Sequence, residues 1–262
     1  MADLLCTTDL STASDAALMH ALALGDRLGA RVTVLHALGR TERDAQARET
    51  VRASVAQQVE KAGGANTNLL LPDGDFMTEI AEESARGHVL MVMGTHGPRG
   101  LRQSIFGADI LKIVRRSAVP SFVVQAHSPV DQAPSPIVMP VASHSEIDRL
   151  LDAVCMLAKA WGAEVQVFQL MRPGESPSDD LLRNKLRMLE RLQREGIAHV
   201  EANEPSTRFS IGFAPATIEY ASKVKAGCIA IMSHASEEYR YIADAEKERI
   251  LANEPGIPVL CA

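Results

Sequence analysis

The chain lacks the features that mark several large functional classes. It has no basic excess: 27 lysines and arginines stand against 33 aspartates and glutamates, for a formal charge of −6. A nucleic-acid or anionic-membrane surface needs a concentrated positive field, so neither is expected as a partner. No uninterrupted apolar stretch approaches the ~18 residues of a membrane-spanning helix. Met1-Ala2-Asp3-Leu4 shows no basic leader followed by an apolar run, and a cytoplasmic location is the expectation. Only four cysteines occur, Cys6, Cys155, Cys228 and Cys261, none of them in C-x-x-C spacing. Each sits among apolar neighbours, the setting of a buried reduced thiol, and no zinc site is identified. No lysine follows a glycine loop in the Walker arrangement, and no carboxylate pair is set up to hold Mg²⁺. Fast phosphoryl transfer therefore lacks its usual parts.

What the chain does have is apolar and periodic. Hydrophobic residues make up 46% of the 262 positions, ample for one large domain or two of ordinary size. Short apolar runs alternate with helical periodicity, the pattern of a parallel α/β sheet. Leu4 to Thr8 reads as a first strand, and Ala17, Ala21, Leu24 and Leu28 as one face of a helix that Gly29 ends. Arg31 to Ala37 follows as a strand, then a helix marked by Val51, Val55 and Val59. Asn68 to Leu71 is the third strand, Asp75 to Arg86 a helix, and Val89 to Met93 the fourth strand. A helix from Gly107 to about Ser117 leads to a fifth strand, Pro120 to Gln125.

Residues 127–135, rich in proline and poor in apolar residues, read as a linker. After it the order begins again. Ile137 to Val141 matches the first strand, and Ile147, Leu151, Val154, Ala158 and Trp161 form a helix stripe ended by Gly162. Glu164 to Leu170 is the next strand, and Leu182, Leu186 and Leu189 share one face of the next helix. Ala198 to Ala202, Cys228 to Met232 and Ile257 to Cys261 complete the strands, with a helix around Ala214, Ile218 and Ala221. Residues 1–126 and 136–262 are thus expected to be two copies of one βαβαβαβαβ unit, each about 130 residues long.

The most informative local feature is the pattern G-x-x-G-x9-G formed by Gly94, Gly97 and Gly107, between a strand and a helix. Such a loop can bring bare backbone N–H groups against an anion, most plausibly nucleotide phosphates, and the following helix adds a positive dipole end. In doubly wound sheets the ligand lies beyond the carboxyl ends of the strands, where strand order reverses. With order 3-2-1-4-5 that crevice would be flanked by Asp9 after the first strand and Gly94 after the fourth. Asp9 could accept a hydrogen bond from an exocyclic amine such as that of adenine. Aligning the two halves sets Ala142 opposite Asp9, Ala235 opposite Gly97 and Ala245 opposite Gly107, and Ser233 also takes a glycine position, so the second copy loses this chemistry.

Three stretches carry a resemblance: Thr7-Thr8-Asp9-Leu10-Ser11, Val34-Leu35-His36-Ala37, and Val92-Met93-Gly94-Thr95-His96-Gly97 with Gly100-Leu101, Gly107 and the helix into Val119-Pro120-Ser121-Phe122-Val123-Val124. Together they resemble a universal stress protein domain over residues 2 to 125, and more weakly over 136 to 261. The resemblance implies two tandem flavodoxin-like, Rossmann-like units, each a five-stranded parallel sheet with helices on both faces. It implies an adenine-nucleotide site, for ATP in the first unit only, made by Thr8, Asp9, Ala37, Met93, Gly94, His96, Gly97, Arg99, Gly107, Ala108 and Asp109. Adenine would lie against Asp9 and the backbone near Ala37, with ribose and phosphates along Gly94, His96, Gly97, Gly107 and the residue after it. The sequence departs from the ATP-binding pattern at Ala108, where that pattern has Ser or Thr, and Asp109 adds a carboxylate that would repel phosphate. Arg99 and Arg102 could offset that charge.

The remaining candidates read as structural. Ser143-His144-Ser145 holds nucleophile and base types without a nucleophile elbow and is expected to cap a helix. Lys185, Arg187, Arg191 and Arg194, with Glu190 and Glu195, read as the solvated face of an amphipathic helix. The expectation is a non-enzymatic binding or regulatory protein of the stress response, with a slow ATPase or a nucleotide-free interaction scaffold as alternatives. The resemblance further implies an internal pseudo-dimer of the two units through their fifth strands, with homodimerisation of whole chains open.

Overall fold

The protein is described by a computed structural model for residues 2–64, 67–95, 110–171, 174, 176–205, 212–235 and 242–262. It divides into two compact units, Met1–Val130 and Asp131–Ala262.

In the first unit the order is β1 (Asp3–Thr7), α1 (Thr12–Leu28), β2 (Arg31–Leu35), α2 (Ala45–Lys61), β3 (Thr67–Leu70), α3 (Phe76–Ser84), β4 (Leu90–Thr95), α4 (Ile110–Arg116) and β5 (Ser121–Gln125). All pairings are parallel: β2 with β3 and β1, β1 with β4, and β4 with β5, giving β3-β2-β1-β4-β5. β1 and β4 are buried almost throughout, which is why they read as continuous apolar runs rather than alternating ones. α1 is capped by Ser11, whose hydroxyl accepts from Ser14 N, and it ends at Gly29, held at φ +61° where only glycine sits without strain.

The second unit repeats the pattern: β6 (Ile137–Pro140), α5 (Asp148–Trp161), β7 (Val165–Met171), α6 (Asp179–Arg194), β8 (His199–Pro205), α7 (Ala214–Lys223), β9 (Cys228–Ile231), α8 (Ala243–Leu251) and β10 (Val259–Cys261). Its parallel pairings run β8-β7-β6-β9-β10. Gly162 closes α5 at φ +62°, as Gly29 closes α1. The beginning of β9 is seated close to the chain that enters the unit. A methyl on Gly227 would lie 2.1 Å from Ala133 O.

Four expectations need correction. β4 does not stop before Gly94 but runs on through Gly94 and Thr95, paired with Val124 and Gln125 of β5. On α6 the buried face is Asn184, Met188 and Leu192, while Leu182 and Leu186 are 46% and 57% exposed. A buried asparagine breaks the apolar stripe that periodicity seeks, and the leucines one turn face away. Nor does Ser143 or Ser145 cap α5, whose N-cap position is Ile147 with no side-chain bond. Lys185 also leaves the solvated face: its Nζ donates to Gln169 Oε1 and Asn203 Oδ1, both at 2.7 Å, and pairs with Glu201. Its neighbours do stay outside, where Arg187 and Arg191 tie α6 to Asp148 and Asp152 of α5.

All four cysteines are free and buried, and burial pushes the thiols of Cys6 and Cys228 up to about 12. No helix among the described residues is long and apolar enough to cross a membrane.

Gly94 shows what holds the first unit together at the site end. A Cβ there would meet Ala13 O at 2.2 Å and Ser14 N at 2.8 Å, so β4 and the first turn of α1 touch backbone to backbone. Gly94→Ala is expected to destabilise the protein by about 1–3 kcal/mol through forced separation of the two elements. Urea unfolding without ligand measures it; unchanged stability would mean that this approach is not tight.

Candidate functional site

The loop Thr8-Asp9-Leu10-Ser11 leaves the carboxyl end of β1, between β2 and β4, the place where a doubly wound sheet holds its ligand. Local chemistry fixes this loop. Thr8 N donates to Leu35 O (2.9 Å), extending the β1–β2 ladder by one bond. Leu10 N donates to the Thr8 hydroxyl (3.0 Å), and Ser11 N donates to Asp9 Oδ1 (3.2 Å), as does the Ser11 hydroxyl. Leu10 is held at φ +62°, a left-handed conformation that disfavours a branched side chain. A strained non-glycine residue persists only where its surroundings over-determine it, and here two side-chain acceptors do so.

Behind the loop stands Gln58 of α2, 8% exposed. Its Oε1 accepts from the Thr8 hydroxyl at 2.7 Å, and its Nε2 donates to Asp15 Oδ1 at 2.6 Å and to Ser14 Oγ at 3.4 Å. One amide thus ties the end of β1 to the first turn of α1. Sequence reasoning missed it. The available signal was a glutamine three residues after Val55, on the apolar face of α2, where a polar side chain needs buried partners.

On the β2 side, His36 Nδ1 bonds Thr8 O at 3.0 Å, and the ring, 6% exposed, keeps its Nε2 at 3.6 Å from Glu42 Oε2. His36 N donates to Leu70 O at the end of β3, and Leu38 N to Pro72 O just beyond it. Ala37 lies between them, so strand alternation turns its N–H and C=O the other way, toward β1. Among the described residues neither group has a hydrogen-bond partner.

The expected site residues therefore fall into three groups. Asp9 and Ala37, both partly exposed, stand on the adjacent segments that follow β1 and β2, which the Thr8–Leu35 and His36–Thr8 bonds hold together. Thr8, Met93 and Gly94 are at the same end of the sheet, but Thr8 has its hydroxyl committed to Gln58 and Ser14, and Met93 is fully buried. The absent side chain of Gly94 makes room for α1. His96, Gly97, Arg99, Gly107, Ala108 and Asp109 lie outside the described residues. Among the described residues no cluster of histidine, cysteine or carboxylate side chains is arranged to hold a metal ion.

The second unit repeats the frame with other chemistry. Val141 N donates to Phe168 O at 2.8 Å, the counterpart of the Thr8–Leu35 bond, which sets Ala142 where Asp9 stands. Asn184 of α6 takes the place of Gln58: its Nδ2 donates to Ala142 O (2.8 Å) and His144 O (2.7 Å), pinning the loop after β6.

Residues 1–125 match the universal stress protein family. The first unit belongs to that family. The fold is similar to that of a universal stress protein from Archaeoglobus fulgidus: 22% identity, covering 99% of this chain and 95% of that one, with a TM-score of 0.68. A functionally unknown protein from Pseudomonas aeruginosa aligns over 99% of this chain and 91% of its own at 18% identity and a TM-score of 0.54. The cytoplasmic domain of a prokaryotic cation chloride cotransporter aligns over 99% and 94% at 11% identity and a TM-score of 0.51. No curated protein matches the sequence.

If Gln58 is what holds the Asp9 loop, Gln58→Leu leaves the Thr8 hydroxyl and the Asp15 carboxylate short of a buried partner. The expected loss is about 1–3 kcal/mol, and adding Thr8→Val should recover part of it. Chemical denaturation of the two single variants and the double variant reads this coupling; strict additivity would show that Gln58 and Thr8 act independently.

Proposed function

We propose that the first unit binds an adenine nucleotide, ATP or a close relative, and that the chain serves the stress response as a binding or regulatory protein rather than as an enzyme. The observation that carries this reading is the pair of backbone groups on Ala37 that have no partner among the described residues, on the segment next to the loop that carries Asp9. A buried or half-buried peptide donor and acceptor seek partners. The edge of adenine offers an amine donor beside a ring-nitrogen acceptor, which matches a peptide C=O and N–H side by side, and Asp9 can take the amine's other hydrogen or a ribose hydroxyl. Family membership of residues 1–125 supports the reading. So does the position: β1 lies between β2 and β4, so the crevice is where the order of the strands reverses. In this reading the phosphates lie along Gly94, His96, Gly97 and Gly107, with Arg99 close to them.

Regulation rather than turnover follows from what surrounds the phosphates in the sequence. No Walker lysine is present to polarise them, and Ala108 and Asp109 give neither a hydroxyl donor nor a positive charge. The nucleotide is then a ligand whose occupancy reports its concentration.

Calorimetric titration of the full chain with ATP is expected to give one site. Gly97→Ala should abolish it, because a methyl blocks the approach of phosphate to the peptide groups. Asp9→Ala should weaken it while leaving the fold intact. Two equivalent sites, or full affinity in Gly97→Ala, would contradict the assignment. Conversely, Ala108→Ser with Asp109→Val should tighten ATP at least about tenfold, since a hydrogen bond to a charged acceptor contributes about 1.5–3 kcal/mol. Unchanged affinity in that variant would show that these two positions do not limit binding.

A further inference from the structure

The second unit repeats one piece of the first crevice, a free peptide edge. Val141 N donates to Phe168 O as Thr8 N donates to Leu35 O, so Leu170 stands where Ala37 does, two residues past that last bond. On the other side of β7, Val165 N donates to Ala198 O just before β8. Strand alternation then turns the peptide groups of Gln169 and Met171 toward β8, and the N–H and C=O of Leu170 toward the line of β6. The pairing of β6 with β7 has ended before that point, at Pro140 and Phe168. Among the described residues neither Leu170 group has a hydrogen-bond partner.

Leu170 borders a cavity of about 140 Å³, whose described walls also include Val141 and Ala142 after β6 and the side chains of Phe168, Phe213 and Met232. Core cavities of about 150 Å³ accept a benzene-sized body, so there is room for one six-membered ring. Where the first unit has the Asp9 carboxylate, this one has the methyl of Ala142. Two other polar wall groups are already committed: Thr217 donates its hydroxyl to Phe213 O, and Gln169 Oε1 accepts from Lys185. His144 also lines the space, and burial, with Lys247 and His234 nearby, pushes it down to about 4, so its ring is neutral at physiological pH. Lys247 lines the cavity too, and an uncharged occupant requires nothing of its ammonium.

A free donor and acceptor beside apolar walls suit a ligand that returns both hydrogen bonds and carries little other polarity. We propose that this cavity binds a single uncharged ring with a cis-amide edge, of the lactam or pyridone class. Its C=O accepts from Leu170 N–H, its N–H donates to Leu170 C=O, and its faces lie against Phe168 and Phe213. A nucleotide is a poor occupant, because apolar walls cannot replace the hydration of its phosphates. The site is separate from the one proposed for the first unit, and neither assignment depends on the other.

The test is titration of the isotope-labelled full chain with 2-pyridone, read by amide chemical shifts. The control is 2-pyrone, the same ring with oxygen in place of N–H. Saturable movement of the Leu170 amide is expected, with 2-pyrone weaker by about tenfold or more, and saturating ATP should leave the 2-pyridone affinity unchanged. Ala142→Leu fills the cavity without altering the Leu170 peptide and should abolish binding in a chain whose melting is checked separately. The comparison of the two rings needs no variant, so the outcome does not hang on that chain folding. No saturable shift at Leu170 at millimolar 2-pyridone, equal affinity for 2-pyrone, or full binding in Ala142→Leu would each overturn the proposal. Competition by ATP at Leu170 would as well, and would make this crevice a nucleotide site.

Discussion

A buried amide on the second helix of each unit fixes the loop that follows the first strand, and the crevice depends on it. In the first unit Gln58 binds Thr8 and the first turn of α1; in the second, Asn184 binds the carbonyls of Ala142 and His144. The parallel sheet alone does not position these loops, because its ladder ends one bond after the strand, at Thr8 N and Val141 N. Beyond that point the chain needs side-chain partners, and an unpaired buried amide would be costly enough to keep the loop in place. The strained φ of Leu10 is maintained by the same local bonds.

On this common frame the two crevices have diverged. The first keeps a carboxylate at Asp9, a pair of unpartnered peptide groups at Ala37 and the glycine pattern that begins at Gly94. The second replaces the carboxylate by Ala142 and lines the opening with Phe168, Phe213 and Met232 around Lys247. The two units share the pinned loop after the first strand and differ in the groups at the carboxyl ends of their strands. Fold and ligand chemistry are then set by different residues, so a shared architecture says little about what each unit holds.

Much of this was legible in the sequence because it follows period and punctuation. The apolar runs at Leu4–Cys6 and Leu90–Met93, the stops at Gly29 and Gly162 and the repeat itself depend on local preferences that tertiary contacts reinforce. Polar residues in the core were less accessible. Gln58 and Asn184 sit on faces that periodicity assigns to apolar side chains, and their roles exist only once distant segments meet. The leucines at 182 and 186 misled for the complementary reason: a good apolar stripe points outward because Asn184 claims the inner face. Gly94 was marked by its chemistry, but the reason visible in the fold is contact with Ala13 and Ser14 rather than positive φ. The cavity of the second unit could not be read at all, since its walls come from loops and helices far apart along the chain.

The central claim is that, of two crevices built on one frame, the first is the one proposed to bind an adenine nucleotide, and amide chemical-shift mapping on the isotope-labelled full chain tests it most directly. Addition of ATP should move the amides of residues 8–11, 36–38 and 93–95 and leave 141–144, 168–171 and 231–233 in place. Movement of both sets by ATP, or of neither, would contradict the account.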